Sequence, residues 1–168
     1  MLDLVIAEFS DPNAAVPTGI VLLRMLAAAV LGGAIGLERE AFARNAGLRT
    51  HVMIALAACL FALIAFELVG MGDSDRLQFD PLRLIEAVTA GVAFLAAGSI
   101  ITSGVKVKGL TTGASMWLAG AVGLACGTGR LTLALMATGM ALAVLFLLSR
   151  VSHKVSSKAD DEDLSHEG

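Results

Sequence analysis

The chain has 168 residues, of which 57% are hydrophobic and only 16% charged, with a formal net charge of −3. Its mean hydropathy of +0.81 lies well above that of soluble domains of this size. These values exclude a soluble catalytic domain with its own aqueous core, and the acidic balance excludes a nucleic-acid partner.

Residues 1–17 carry Asp3, Glu8 and Asp11 and no Lys or Arg, the reverse of a basic secretory signal. No cleavage is expected, and the segment reads as an extracytoplasmic leader. Five apolar stretches follow: Thr18 to Leu37, Thr50 to Gly70, Leu82 to Ser103, Leu110 to Gly127 and Leu131 to Ser149. Each is close to the ~20 residues that a helix needs to cross a bilayer. Lipid offers no partner for an unpaired backbone group, so the predicted fold is all-α, a polytopic membrane protein built as a five-helix transmembrane bundle over residues 18–150. Residues 151–168 end in Asp160, Asp161, Glu162 and Asp163 and are expected to form a disordered acidic tail.

Basic residues set the expected orientation. The first connection holds Arg39, Arg44 and Arg49, the third Lys106 and Lys108, and the segment after the fifth span Arg150, Lys154 and Lys158. The other side has Arg76, Arg83 and Arg130, so the N-terminus is placed outside and the C-terminus in the cytoplasm.

Polar groups at membrane depth are the first candidates for function, because a buried charge there is tolerated only with a partner. On a helical wheel Glu86 shares a face with Ala90, Ala93, Ala97 and Gly104, opposite Leu84, Val88, Val92 and Leu95. Small residues allow close helix approach, so this face is expected to turn inward and to carry Glu86 with it. Arg24 lies about 9 Å into the first span and is expected to pair with Glu86 or, in second place, Glu67. Near its helix end, Glu67 is otherwise expected to reach the outer headgroups. The pairs Gly32/Gly36 and Gly123/Gly127 have the small-xxx-small spacing of helix contacts. Cys59 and Cys126, inside spans and without metal-ligand spacing, read as packing residues.

In the connections, Thr50 is expected to cap the second helix, and Thr111 or Thr112 the fourth. Lys108 beside that helix start could hold an anion, although an ordinary capped helix explains the same pattern. The acidic residues Asp73, Asp75 and Asp80 are weak candidates for a divalent-ion site, since most acidic loops are only solvated. No cofactor is expected.

Four ordered motifs carry a resemblance. They are Gly33-Ala34-Ile35-Gly36-Leu37-Glu38-Arg39-Glu40, Ala46-Gly47-Leu48-Arg49-Thr50-His51, Asp80-Pro81 with Arg83 leading to Gly91-Val92-Ala93-Phe94-Leu95-Ala96-Ala97-Gly98, and Val107-Lys108-Gly109-Leu110-Thr111-Thr112-Gly113-Ala114-Ser115 continuing to Gly127. In these the chain resembles the MgtC/SapB family of bacterial inner-membrane proteins, over roughly Arg24 to Arg150. The resemblance implies five spans with the N-terminus outside, a link to growth at low Mg²⁺ and to survival in host cells, and action on a membrane complex such as the F-type ATP synthase. It implies Glu38, Arg39, Glu40, Arg49, Thr50, Asp80, Arg83, Lys108, Thr111 and Thr112 as motif residues. Longer members add a soluble ACT-like domain, which is not expected within this chain. The chain departs from the family pattern in Ala93-Phe94-Leu95-Ala96-Ala97-Gly98, where glycines are usual, and in Glu86, where Gln is frequent.

Two functions are compatible with these readings. One is a non-catalytic regulator docking on a membrane partner, with homo-oligomerisation as a further option. The other is a small Mg²⁺ transporter or channel lined by Arg24, Glu86 and the threonines near Thr111. No nucleophile, base and orienting group fall in a recognisable motif, so an enzyme is not expected.

Overall fold

A computed structural model describes residues 14–42, 46–71, 80–103 and 106–164. Five helices alternate in direction: α1 (Thr18–Ala41), α2 (Leu48–Met71), α3 (Pro81–Ser99), α4 (Leu110–Gly127) and α5 (Leu131–Leu164). The first four are long and apolar enough to cross a membrane, and α5 contributes a further apolar helical stretch over Leu131–Leu147. The result is the all-α polytopic bundle expected from hydropathy.

The element boundaries differ from the expected spans in instructive ways. α1 runs past Leu37 through the charged Glu38, Arg39 and Glu40, since a helix leaving the bilayer need not stop where hydropathy falls. α3 ends at Ser99, and a two-stranded hairpin, β1 (Ile101–Ser103) and β2 (Lys106–Lys108), replaces the end of the expected third span and the following loop. The strands pair antiparallel, with Thr102 opposite Val107. Clustered β-branched residues suit a strand better than a helix, and this local preference lies beneath the resolution of a hydropathy window. Gly109, at φ 93°, then turns the chain into α4. A Cβ there would overlap the Ser99 carbonyl oxygen. In place of the disordered tail expected from residue 151, α5 continues as helix to Leu164. An established span removes the nucleation penalty, so the helix can continue past its apolar stretch.

The centre of the bundle is a three-helix contact. α2 packs extensively on α1 and α4 and only lightly on α3. Ala55, fully buried, is held between two glycines: a Cβ on Gly32 of α1 would lie 2.5 Å from the Ala55 Cβ, and one on Gly123 of α4 would strike the Ala55 backbone, with its Cα at 2.8 Å. One turn further, a Cβ on Gly127 would lie 2.5 Å from the Cys59 carbonyl oxygen. Both small-xxx-small pairs therefore act as helix contacts, as their spacing predicts. Cys59 and Cys126 are free, fully buried and part of the same core.

α3 is turned the opposite way from the expectation. Its buried residues are Val88, Val92 and Ala96, whereas Glu86, Ala90, Ala93 and Ala97 are exposed. The wheel grouped Val88 with Val92 and Glu86 with the alanines but assigned the wrong face to the interior, and Leu95, placed with the valines, is exposed. Lipid accepts Val and Leu as readily as a protein core does, so hydropathy alone cannot rank two apolar faces.

Candidate functional site

The polar groups of the bundle collect at its two ends. At the end formed by the α1–α2 connection, the hairpin and the start of α4, backbone proximity comes first. A Cβ on Gly36 would sit 2.8 Å from the Leu48 Cα and 3.0 Å from the Gly47 carbonyl oxygen, so only a glycine lets α1 pass so close to the start of α2. The Glu40 carboxylate accepts a hydrogen bond from the Leu48 N–H at 2.8 Å. Glu40 thus caps α2 from outside that helix and satisfies one of its open donors. Thr50 lies in the third position of α2 and is not its cap. Arg39, 3% exposed, forms an ion pair with Glu38, its Nη2 donating to Glu38 Oε1 at 2.7 Å and its Nε to the other carboxylate oxygen. A buried charge is compensated by its sequence neighbour, which spares the bundle an unpaired guanidinium.

His51 is the centre of this end and is fully buried. Its Nδ1 lies 2.8 Å from the Gly47 carbonyl oxygen and its Nε2 lies 3.0 Å from Ser115 Oγ on α4. The Ser115 hydroxyl is in turn 2.8 Å from the Thr112 carbonyl oxygen. Only a donor can face Gly47 O, so Nδ1 carries a proton. The single Ser115 hydrogen then has two destinations. Donated to Nε2, it leaves a neutral imidazole. Donated to Thr112 O, it requires Nε2 also to carry a proton, giving an imidazolium. Burial disfavours the charged form, so the arrangement with Ser115 donating to a neutral imidazole is the one that joins α2 to α4.

The remaining motif residues are distributed around this relay. Thr112 is buried and supplies its carbonyl. Arg49, Lys108 and Thr111 are exposed. Neither Thr111 nor Thr112 caps α4: its N-cap is Gly109, without a side-chain bond. A left-handed glycine ends the tight turn from β2, leaving the threonines inside the first turn.

The opposite end ties chain segments rather than charges to one another. Arg24 Nη1 donates to the Gly127 carbonyl oxygen at 2.8 Å, placing a cation at the C-terminus of α4, where open carbonyls and the helix dipole favour it. Glu67 accepts from the Ala15 N–H at 3.0 Å and the Val16 N–H at 3.3 Å, holding the approach to α1. The expected pairing of Arg24 with Glu86 or Glu67 is therefore replaced by two separate contacts to backbone, and Glu67 does not reach for headgroups. An orphaned helix terminus competes for a charge as strongly as an opposite side chain does, and hydropathy plots do not display it. Asp80 caps α3, its Oδ1 accepting from the Leu82 N–H at 2.9 Å. Arg83 and Glu86, also at this end, are exposed and have no partner among the described residues. Asp73 and Asp75 lie outside the described residues; among those described, no three His, Cys, Asp or Glu side chains are grouped to hold a metal.

Between the two ends the interior is apolar, with Ala28, Ile35, Ala55, Cys59, Val122 and Cys126 all buried. Thr138 on α5 is buried there with an Oγ1 that has no hydrogen-bond partner. His51 and Ser115 each fall within one of the four motifs, without a site role of their own in the sequence. The signal that singles them out is that each is the last polar side chain before a long apolar run, at the same end of two helices.

A sequence model of the MgtC family matches residues 25–154. Among similar proteins, "Putative magnesium transporter YhiD" of Escherichia coli K12 is 33% identical over 138 residues, covering 82% of this chain and 64% of that protein. Protein MgtC of Brucella abortus 2308 is 40% identical over 119 residues, 71% of this chain and 47% of its own length. Protein MgtC of Salmonella typhimurium 14028s is 36% identical, with 80% and 55% covered. The chain thus spans about half to two thirds of the curated relatives it matches. No solved structure matches it.

Proposed function

This chain belongs to the MgtC family of multi-pass bacterial membrane proteins, and from that premise we propose that it is a non-catalytic regulator of the inner membrane, linked to Mg²⁺ limitation and acting through a larger membrane complex. The partner put forward is the membrane part of the F-type ATP synthase, as the family resemblance implies. One observation carries the regulator reading: among the described residues the charged groups stop at the two ends, and apart from the Thr138 hydroxyl the layer between them is built of apolar residues, several in backbone contact. Mg²⁺ demands an octahedral shell of oxygens and gives up its water reluctantly, and the Thr138 hydroxyl is far short of that. Arg24 bonds a helix end and Glu86 faces outward, which supports the regulator reading over a pathway through the interior of one copy.

The name given to the Escherichia coli relative favours transport instead. Purified protein in liposomes loaded with a Mg²⁺-sensitive dye separates the two. The regulator reading expects no gradient-driven flux above that of protein-free liposomes, together with retention of the F-type ATP synthase when the protein is isolated from membranes of Mg²⁺-starved cells. Saturable flux, abolished by Glu86→Gln, would overturn it.

A further inference from the structure

We propose that the outward face of α3 is a self-interface, through which two copies of this chain pair about a twofold axis along the membrane normal. The inference goes beyond the regulatory reading and does not depend on it.

The face lies directly opposite Val88, Val92 and Ala96 and consists of Arg83, Glu86, Ala90, Ala93, Phe94 and Ala97, all exposed. Other outward surfaces of the bundle look different. α1 shows Leu22, Leu26 and Val30 to the lipid, and α5 shows Leu135, Met140 and Phe146. Those are the bulky side chains that acyl chains accommodate well. A stripe of alanines presents little apolar surface to lipid and lets another helix approach closely. α3 is also the least enclosed of the four long spans, with 17% of its apolar window inside the molecule against 56% for α4.

Two further features of the face identify the occupant as a second copy. The first is charge. Arg83 and Glu86 are three residues apart on one side of the helix and lack partners among the described residues. In a parallel twofold pair they meet reciprocally, the Arg83 of each copy reaching the Glu86 of the other across an axial offset of about 4.5 Å, well within the span of the two side chains. The second is shape. Phe94 is 80% exposed, the most exposed of the large hydrophobic residues among those described. Under twofold symmetry it projects between Ala90 and Ala97 of the second copy, a knob filling a hole that the same helix supplies. The face therefore carries both halves of each contact. Glu86 lies about 7.5 Å from the start of α3, so the ion pair would form near the membrane boundary, where two charges are tolerated most readily.

The test uses the full chain in native membranes with single added cysteines, since Cys59 and Cys126 are fully buried. Under copper–phenanthroline oxidation, Ala90→Cys is expected to give a disulfide-linked dimer at least tenfold more abundant than Met140→Cys or Leu26→Cys, which face out from α5 and α1. In the Ala90→Cys background, Glu86→Arg should lower the yield about tenfold, and the charge swap Arg83→Glu with Glu86→Arg should restore it to within about twofold. Because these side chains lie outside the core of a single copy, the amount of each variant in the membrane should stay at the parent level. Equal cross-linking at positions 90 and 140, attachment of Ala90→Cys to a different protein, or a charge swap as defective as Glu86→Arg would each overturn the proposal. A variant that fails to accumulate is replaced by native mass measurement of the unmodified chain in nanodiscs, where a monomer alone would also overturn it.

Discussion

α4 and α3 are neighbouring apolar helices, each rich in small residues, and the bundle holds them by different means. In α4, Gly123 and Gly127 are hollows filled by the backbone of α2, and the helix is tied at both ends, by Ser115 to His51 and by Gly127 to Arg24. α3 rests on α4 through the side chains of Val88, Val92 and Ala96. It is flanked by apolar grooves of about 330 Å³ towards α2 and about 300 Å³ towards α4. In lipid no hydrophobic force favours helix contact over acyl chains, so close backbone approach and polar ties decide which helices form a rigid unit. The same composition therefore serves two purposes, a filled joint in α4 and an open surface in α3.

The largest effect should come from filling a hollow. Gly123→Val is expected to destabilise the protein by about 3 kcal/mol or to prevent its accumulation, because backbone atoms of Ala55 cannot move aside. Gly91→Ala in α3, where a Cβ meets nothing within 4 Å, should stay within about 0.5 kcal/mol of the parent in the same detergent unfolding assay. Equal losses at the two sites would erase the distinction between the helices. Ser115→Ala comes next, at about 1–3 kcal/mol, since it leaves the buried His51 Nε2 unpaired. Thermal unfolding in detergent is the readout, and a neutral result would remove the relay from the account of how α2 and α4 are joined.

Arg24→Ala should cost about 1 kcal/mol, at the low end for a charged hydrogen bond because the side chain is only half-buried. Combined with Glu86→Gln in a double-mutant cycle it should show coupling below about 0.5 kcal/mol. A larger coupling would restore the direct ion pair. The smallest effect is assigned to Glu40→Gln, about 0.5–1 kcal/mol, which weakens the capping of α2 without removing an acceptor. Denaturant titration resolves a difference of this size when compared with the control Gly91→Ala, where a Cβ meets nothing within 4 Å.

Hydropathy alone yielded the five helices and their alternation, and residue spacing yielded the glycine contacts of α1, α2 and α4, because lipid leaves few alternatives for such segments. What it could not yield were the interactions with the backbone. Arg24, Glu67 and Glu40 all bind open peptide groups, and a reading that matches side chain to side chain overlooks such partners. The hairpin was hidden within an apolar run by the same averaging. The inversion of α3 has a separate cause: Val and Ala differ in size far more than in their affinity for lipid. The wheel found two faces, and only three-dimensional packing against α4 could choose between them. His51 and Ser115 lay in plain view in the motifs, yet sixty-four residues separate them and only the parallel course of α2 and α4 brings them together.

The arrangement of α3 is tested most directly by an engineered disulfide within one copy. A Cβ on Gly113 lies 3.4 Å from the Ala96 Cβ, at the short end of the roughly 3.5–4.5 Å found in disulfides. The pair Ala96→Cys with Gly113→Cys should therefore oxidise to an intramolecular bond whose yield does not change on dilution, while Ala97→Cys with Gly113→Cys should remain reduced. Preferential bonding from position 97 would place the alanine stripe against α4 and contradict the account.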